Sequence, residues 1–115
     1  MISFEEFNAL YDSIQGEPEF EIIFDNTDKT YMIIKYDDHV SFQRCGIHDG
    51  SGEIEYPNLM NLYYAKSVDD ICLNKEWGKI KTIIADDSFD LSLPSDLYEY
   101  KQWHKLINPS LSGSR

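Results

Sequence analysis

Phe4, Phe7, Leu10, Tyr11 and Ile14 recur at three- and four-residue steps, the spacing that gathers side chains on one face of an α-helix. Ser3 and Glu6 stand at capping-box spacing ahead of that face. Gly16 and Pro18 then supply a stop. From Glu19 the period changes from 3.6 to 2: Phe20, Ile22 and Phe24 point one way, Glu19 and Glu21 the other. Thr30–Tyr36 and His39–Arg44 read as two further strands, separated by the turn residues 25–28 and Asp37-Asp38. Such short connections make neighbouring strands antiparallel.

The glycine-rich stretch 46–55 predicts a loop or hairpin into a short fourth strand at Glu53–Tyr56. After Pro57 the helical period returns with Leu59, Leu62 and Tyr63. Ser67 with Asp70 reads as a cap opening a helix through Val68, Ile71 and Cys72, interrupted by Asn74–Gly78. The β-branched run 79–85 suits a strand, although its period leaves a buried helix open. Phe89, Leu91 and Leu93 alternate like an edge strand. A last helix starts at Pro94–Asp96, with Asp96 and Glu99 at capping-box spacing and Leu97, Tyr100, Trp103, His104 and Ile107 as its stripe, and ends at Asn108-Pro109. The expected class is α+β: a small antiparallel meander of three to five strands covered by an N-terminal helix, a central helical pair and a C-terminal helix. Residues 1–108 form the expected single domain, and 109–115 a disordered polar tail.

Composition narrows the function classes. A chain of 115 residues that is 42% hydrophobic and 14% aromatic can bury a core. Phe4, Phe7, Phe20, Phe24, Phe42 and Trp103 are the aromatic core candidates. No apolar run reaches the ~18–20 residues that span a bilayer, so no membrane role is expected. The segment 1–6 has neither the basic nor the apolar region of a signal peptide, and a soluble, cytoplasmic domain is expected. Only Cys45 and Cys72 are present, fewer than a stapled secreted scaffold uses; they read as buried thiols, with a disulfide left open.

Charge is the most informative feature. Lys and Arg number 10 against 21 Asp and Glu, a formal net charge of −11. Residues 1–28 and 82–100 contain acids and no Lys or Arg. Nucleic-acid affinity rests on Lys and Arg displacing counterions, so direct nucleic-acid binding is not expected. A basic protein partner is favoured instead, and a homo-oligomer stays open.

Candidate chemistry is sparse. Cys45-Gly46-Ile47-His48 matches half a zinc motif, but Cys72, His39 and His104 do not complete it at any expected spacing. The loop Gly46–Gly52 lacks the Gly-Lys-Ser/Thr ending of a phosphate loop, and Asp49-Gly50 is turn chemistry. Segments 25–28 and 86–90 offer oxygen ligands without the EF-hand pattern. Cys45 or Ser51 with His48 would make a nucleophile–base pair only with an orienting third group, which nothing in the sequence provides. No catalytic residue, metal ligand or cofactor is therefore assigned.

Tyr56-Pro57-Asn58-Leu59, Ala65–Ile71 and Trp77 resemble stretches in small acidic, uncharacterised proteins of Gram-positive mobile elements and prophages, over about a quarter of the chain. That resemblance implies accessory roles such as immunity proteins, antitoxins or inhibitors of host defence nucleases, and carries no catalytic residue. The leading expectation is a non-enzymatic acidic binding module, in which Glu17, Glu19, Glu21, Asp86, Asp87 and Asp90 steer a basic partner and Tyr64 or Tyr98 supplies contact area. Mimicry of nucleic acid belongs to the same expectation, since Glu19 and Glu21 would project ~7 Å apart from one strand face. The alternatives are a small enzyme or ligand-binding domain built on the Cys45–Gly52 loop, and a structural homodimer.

Overall fold

In the computed structural model, which describes residues 1–25 and 27–104, the capping box forms in full. The Ser3 hydroxyl accepts from the Glu6 amide at 3.1 Å, and the Glu6 carboxylate accepts from the Ser3 amide at 3.2 Å. It opens α1 (Phe4–Ser13), which buries Phe4, Phe7, Leu10 and Tyr11. The chain leaves α1 through Gly16, whose φ of 91° lies in the left-handed region that glycine enters without a Cβ clash.

Six strands follow: β1 (Glu19–Phe24), β2 (Thr30–Lys35), β3 (Val40–Arg44), β4 (Glu53–Tyr56), β5 (Ile80–Ala85) and β6 (Phe89–Asp90). They form one antiparallel sheet in the order β4-β3-β2-β1-β5-β6, one strand more than the sequence suggested. The ambiguous run 79–85 is the strand β5, and it pairs with β1 in the interior of the sheet. A bulge falls between Ile23 and Phe24, where Lys81 is the extra residue opposite them.

Every helix lies on one side of this sheet. Phe20 meets Phe7 of α1 edge-on, with centroids 4.9 Å apart, and Tyr100 of α4 (Pro94–Trp103) at 6.5 Å. Phe4 stacks on Tyr63 of α2 (Leu59–Tyr64) at 3.5 Å and meets Trp77, just beyond α3 (Leu73–Glu76), at 5.2 Å. Lys35, at the end of β2, reaches under α1 and donates to the Tyr11 and Ile14 carbonyls, both at 2.7 Å. It is the cation at a helix C-terminus that has no basic residue of its own.

Three expectations are corrected. Ser67 does not cap a helix: its hydroxyl accepts from the Tyr56 hydroxyl at 2.9 Å, and only a 3₁₀ turn, Val68–Asp70, follows. Asp69 and Asp70 there have φ of 54° and 62°, and the central helix α3 falls in the segment read as an interruption. The Asp96–Glu99 box does not form either. Leu93 is the N-cap residue and Pro94 enters the first turn, while Asp96 accepts from the Asp90 amide at 2.9 Å. Trp103 is not core but 73% exposed, because at about 100° per residue it stands well off the Leu97–Tyr100–His104 line that faces the sheet. Ile107, the Asn108-Pro109 stop and the 109–115 tail lie outside the described residues. Among the described residues no helix is long and apolar enough to cross a membrane.

Candidate functional site

Strand alternation sends Phe20, Ile22, Phe24, Ile33, Phe42, Ile83 and Ala85 into the helix-covered core. The opposite face has no helix over it. Register fixes its composition. One row across the sheet reads Glu53, Gln43, Met32, Glu21, Ile84, Asp90 from β4 to β6. The next reads Glu55, Ser41, Ile34, Glu19. A third places Thr30, Ile23 and Thr82 side by side. Met32, Ile34, Ile23 and Ile84 are half-buried, covered only by their neighbours on the face. No ladder position on this face carries Lys or Arg.

The carboxylates fall into two rails. Glu19 and Glu21 stand on β1, Glu53 and Glu55 on β4; within each rail the spacing is ~7 Å from the strand rise. Between the rails, Ser41 is fully buried and donates to Glu53 at 2.6 Å, while Gln43 donates to Ser41 at 3.1 Å. At the β2–β3 turn, Tyr36 and His39 stack with ring centroids 4.4 Å apart and planes 12° from parallel. Burial, and then the carboxylates of Glu53, Glu17, Glu19 and Glu55, push the Tyr36 phenol above its ordinary value. The same acids therefore converge on one ring. His39 Nδ1 lies 2.6 Å from Asp38 and Nε2 3.2 Å from Glu55. Its pKa is raised, chiefly by the bond to Asp38, with partial opposition from desolvation and further support from Glu55.

The sequence-derived acids divide on this geometry. Glu17, Glu19 and Glu21 gather at the open face. Asp87 is exposed on the β5–β6 turn. Asp86 is occupied, accepting from the Glu19 amide at 3.0 Å and from the Tyr100 hydroxyl at 3.2 Å. Asp90 is occupied too, accepting from the Ser92 amide at 2.9 Å and from the Ser92 hydroxyl. Tyr64 and Tyr98, 62% and 54% exposed, ride on α2 and α4 in the helical layer, away from the open face. The residues that sequence reasoning missed are Glu53, Glu55 and Tyr36. The alternation in Glu53-Ile54-Glu55-Tyr56 is a visible signal for the β4 rail, but its position opposite β3 appears only with the register.

The Cys45–Gly52 loop is internally satisfied. Asp49 accepts from the Ser51 amide at 2.9 Å and from its hydroxyl at 2.6 Å, and Gly46 and Gly50 take φ of 88° and 85°. Cys45 and Cys72 are free thiols, and both are half-buried rather than buried in the core as the sequence suggested. Burial, and then Glu21, push the Cys45 thiol up, the opposite of what an activated nucleophile needs. On the helical side, a cleft of ≈ 380 Å³ lies between Phe24, Tyr31, Lys29 and Asp69, and several of its charges are held by neighbouring side chains. Asp69 accepts from Tyr31 at 2.7 Å and pairs with Arg44 at 3.2 Å; Lys79 pairs with Glu76 at 3.2 Å. Among the described residues no group of three His, Cys, Asp or Glu side chains is set to hold a metal ion.

Comparison of the chain with protein-family models, with curated proteins and with solved structures finds no match. The chemistry of the open face is therefore what carries a functional reading.

Proposed function

We propose that this chain is a non-enzymatic protein-binding module, of the accessory inhibitor or immunity type, whose open sheet face receives a basic protein. The observation that carries this reading is a half-buried apolar floor flanked by Glu19 and Glu21 on β1 and by Glu53 and Glu55 on β4, the latter two also bonded to Ser41, Gln43 and His39, on a face whose ladder positions carry no Lys or Arg. Glu17 and Asp87 extend the negative field at its margin and help steer encounter. Asp86 and Asp90 serve the fold. Tyr36 supplies the aromatic contact area in place of Tyr64 and Tyr98.

The test is capture of host proteins at low and at high salt by the wild type and by a Glu19→Lys/Glu21→Lys variant whose fold is checked by circular dichroism. Recovery of one basic protein that is lost both with salt and with charge reversal fits the reading, because screening shortens from ~10 Å at 0.1 M to ~3 Å at 1 M. Equal capture by wild type and variant would refute it.

A further inference from the structure

We infer that the segment seated on this face is an amphipathic basic helix two to three turns long, lying along β2 and β3 between the two carboxylate rails. This rests on the protein-binding reading above and names its ligand. The rails are three strand spacings apart, or ~14 Å at ~4.8 Å per strand. An α-helix with its side chains is ~10–12 Å across, so at that strand separation its axis lies over β2 and β3. Its basic flanks reach Glu19 and Glu21 on one side and, on the other, Glu55 and the Glu53 carboxylate that leans over β3. The floor it meets is Ile34 and Met32 on β2 beside Gln43 on β3, with Ser41 buried beneath the Glu53 carboxylate that it and Gln43 hold toward β3. A helix seated there would place apolar residues at i, i+3/i+4 and i+7 on the floor and Lys or Arg on each flank against a rail.

An extended segment fits poorly. The amides of β1, β2 and β3 are engaged in ladders on both sides, so they offer a strand laid across the face no main-chain bonds. Its own backbone groups would be buried unpaired, whereas a helix satisfies its own. A second copy of the chain is disfavoured because a two-fold contact would set these rails against their equals. An anionic lipid surface is repelled by the same carboxylates.

The test uses two fluorescent peptides of identical Leu, Ala and Lys composition and ~11 residues, ~16 Å when helical. One has a single Leu stripe flanked by Lys; the other is a scrambled isomer without a face. Binding to the full chain is read by anisotropy at low and high salt. The striped peptide should bind at least about tenfold more tightly than its isomer. Met32→Lys should abolish that preference. Glu19→Gln/Glu53→Gln, which preserves shape and the Glu53 bonding pattern, should weaken binding and flatten its salt dependence. Met60→Lys, on an exposed apolar position of α2, should change nothing. Equal binding of both peptides would overturn the helix inference while leaving a charge-driven protein site. Binding of neither would overturn it as well, and the capture experiment then decides separately whether a basic protein binds at all. Wild-type binding to anionic vesicles, or a solution dimer broken by Met32→Lys, would replace the helix with those occupants.

Discussion

Lys35→Met removes the ammonium that ties the C-terminus of α1 to the sheet. The two 2.7 Å bonds go to Tyr11 and Ile14 carbonyls, and the ammonium also lies 4.8 Å from the Tyr11 ring centroid. A hydrogen bond to a charged group contributes about 1.5–3 kcal/mol, and a cation at a helix C-terminus about 0.3–1 kcal/mol. The two bonds share one ammonium and one desolvation cost, and Lys35 is only half-buried, so these figures do not add. Methionine keeps the aliphatic stem, which isolates the polar loss. The expected destabilisation is about 2–3 kcal/mol. At ~2.1 cal/mol/K per residue, a chain of this length loses about 4 °C of Tm per kcal/mol, so the midpoint should fall by about 8–12 °C. Urea titration followed by the fluorescence of Trp77, which is buried with its indole donating to the Ile2 carbonyl at 3.2 Å, gives the free energy independently. A loss below about 0.5 kcal/mol, the range of neutral surface changes, would refute the reasoning and mean that water serves those carbonyls equally well.

Ser3→Ala should cost about 1 kcal/mol through the lost N-cap bond, read as a drop of about 4 °C in thermal melting; no change would mean that the first turn frays in solution. Phe20→Ala, in contact with both α1 and α4, should cost about 3–5 kcal/mol, whereas Trp103→Ala should stay within about 0.5 kcal/mol, and urea titration of the pair checks the corrected orientation of α4. Tyr11 and Tyr31 are both pushed up to about 12, in each case chiefly by burial, with Asp12 and Asp69 respectively adding to it. Their raised values mean that the folded state holds these protons more tightly: the associated stability is complete below the ordinary value of ~10 and is lost as pH rises through about 12. Ultraviolet titration should therefore show late-ionising tyrosines that revert to ordinary behaviour in urea, and an ordinary titration in the folded state would contradict the burial.

The elements that the sequence disclosed are those whose signals are local. The capping box of α1, the alternation of β1 and the Asp37-Asp38 turn each follow from residues a few positions apart, and all appear in the fold. Signals that depend on competition for a side chain misled. Ser67 has cap chemistry, but Tyr56, eleven residues away, takes its hydroxyl. Asp86 reads as free charge because nothing nearby in sequence announces the Glu19 amide as its donor, whereas Asp90 is taken by Ser92 only two residues on, a local turn signal that the charge pattern masked. The candidate site was half legible for the same reason. Glu19 and Glu21 are visible as a rail from period alone, while Glu53 and Glu55 join them only because β3 and β2 set β4 three places from β1.

The placement of β1 also bears on how the chain reaches this state. β1 through β4 form a meander of successive neighbours, whereas β5 must close a loop from Phe24 to Ile80 before it can pair. During synthesis, at ~5–20 residues per second, β1 therefore spends seconds with one flank of amides unpaired, on a segment, Phe20–Phe24, rich in strand-forming apolar residues. Such an edge is a template for association between nascent chains. Glu17, Glu19 and Glu21 bracket and interrupt it with charge of one sign, which opposes edge-to-edge pairing of identical copies. The acids of β1 are thus gatekeepers of an unfinished sheet before they are a rail of the finished one.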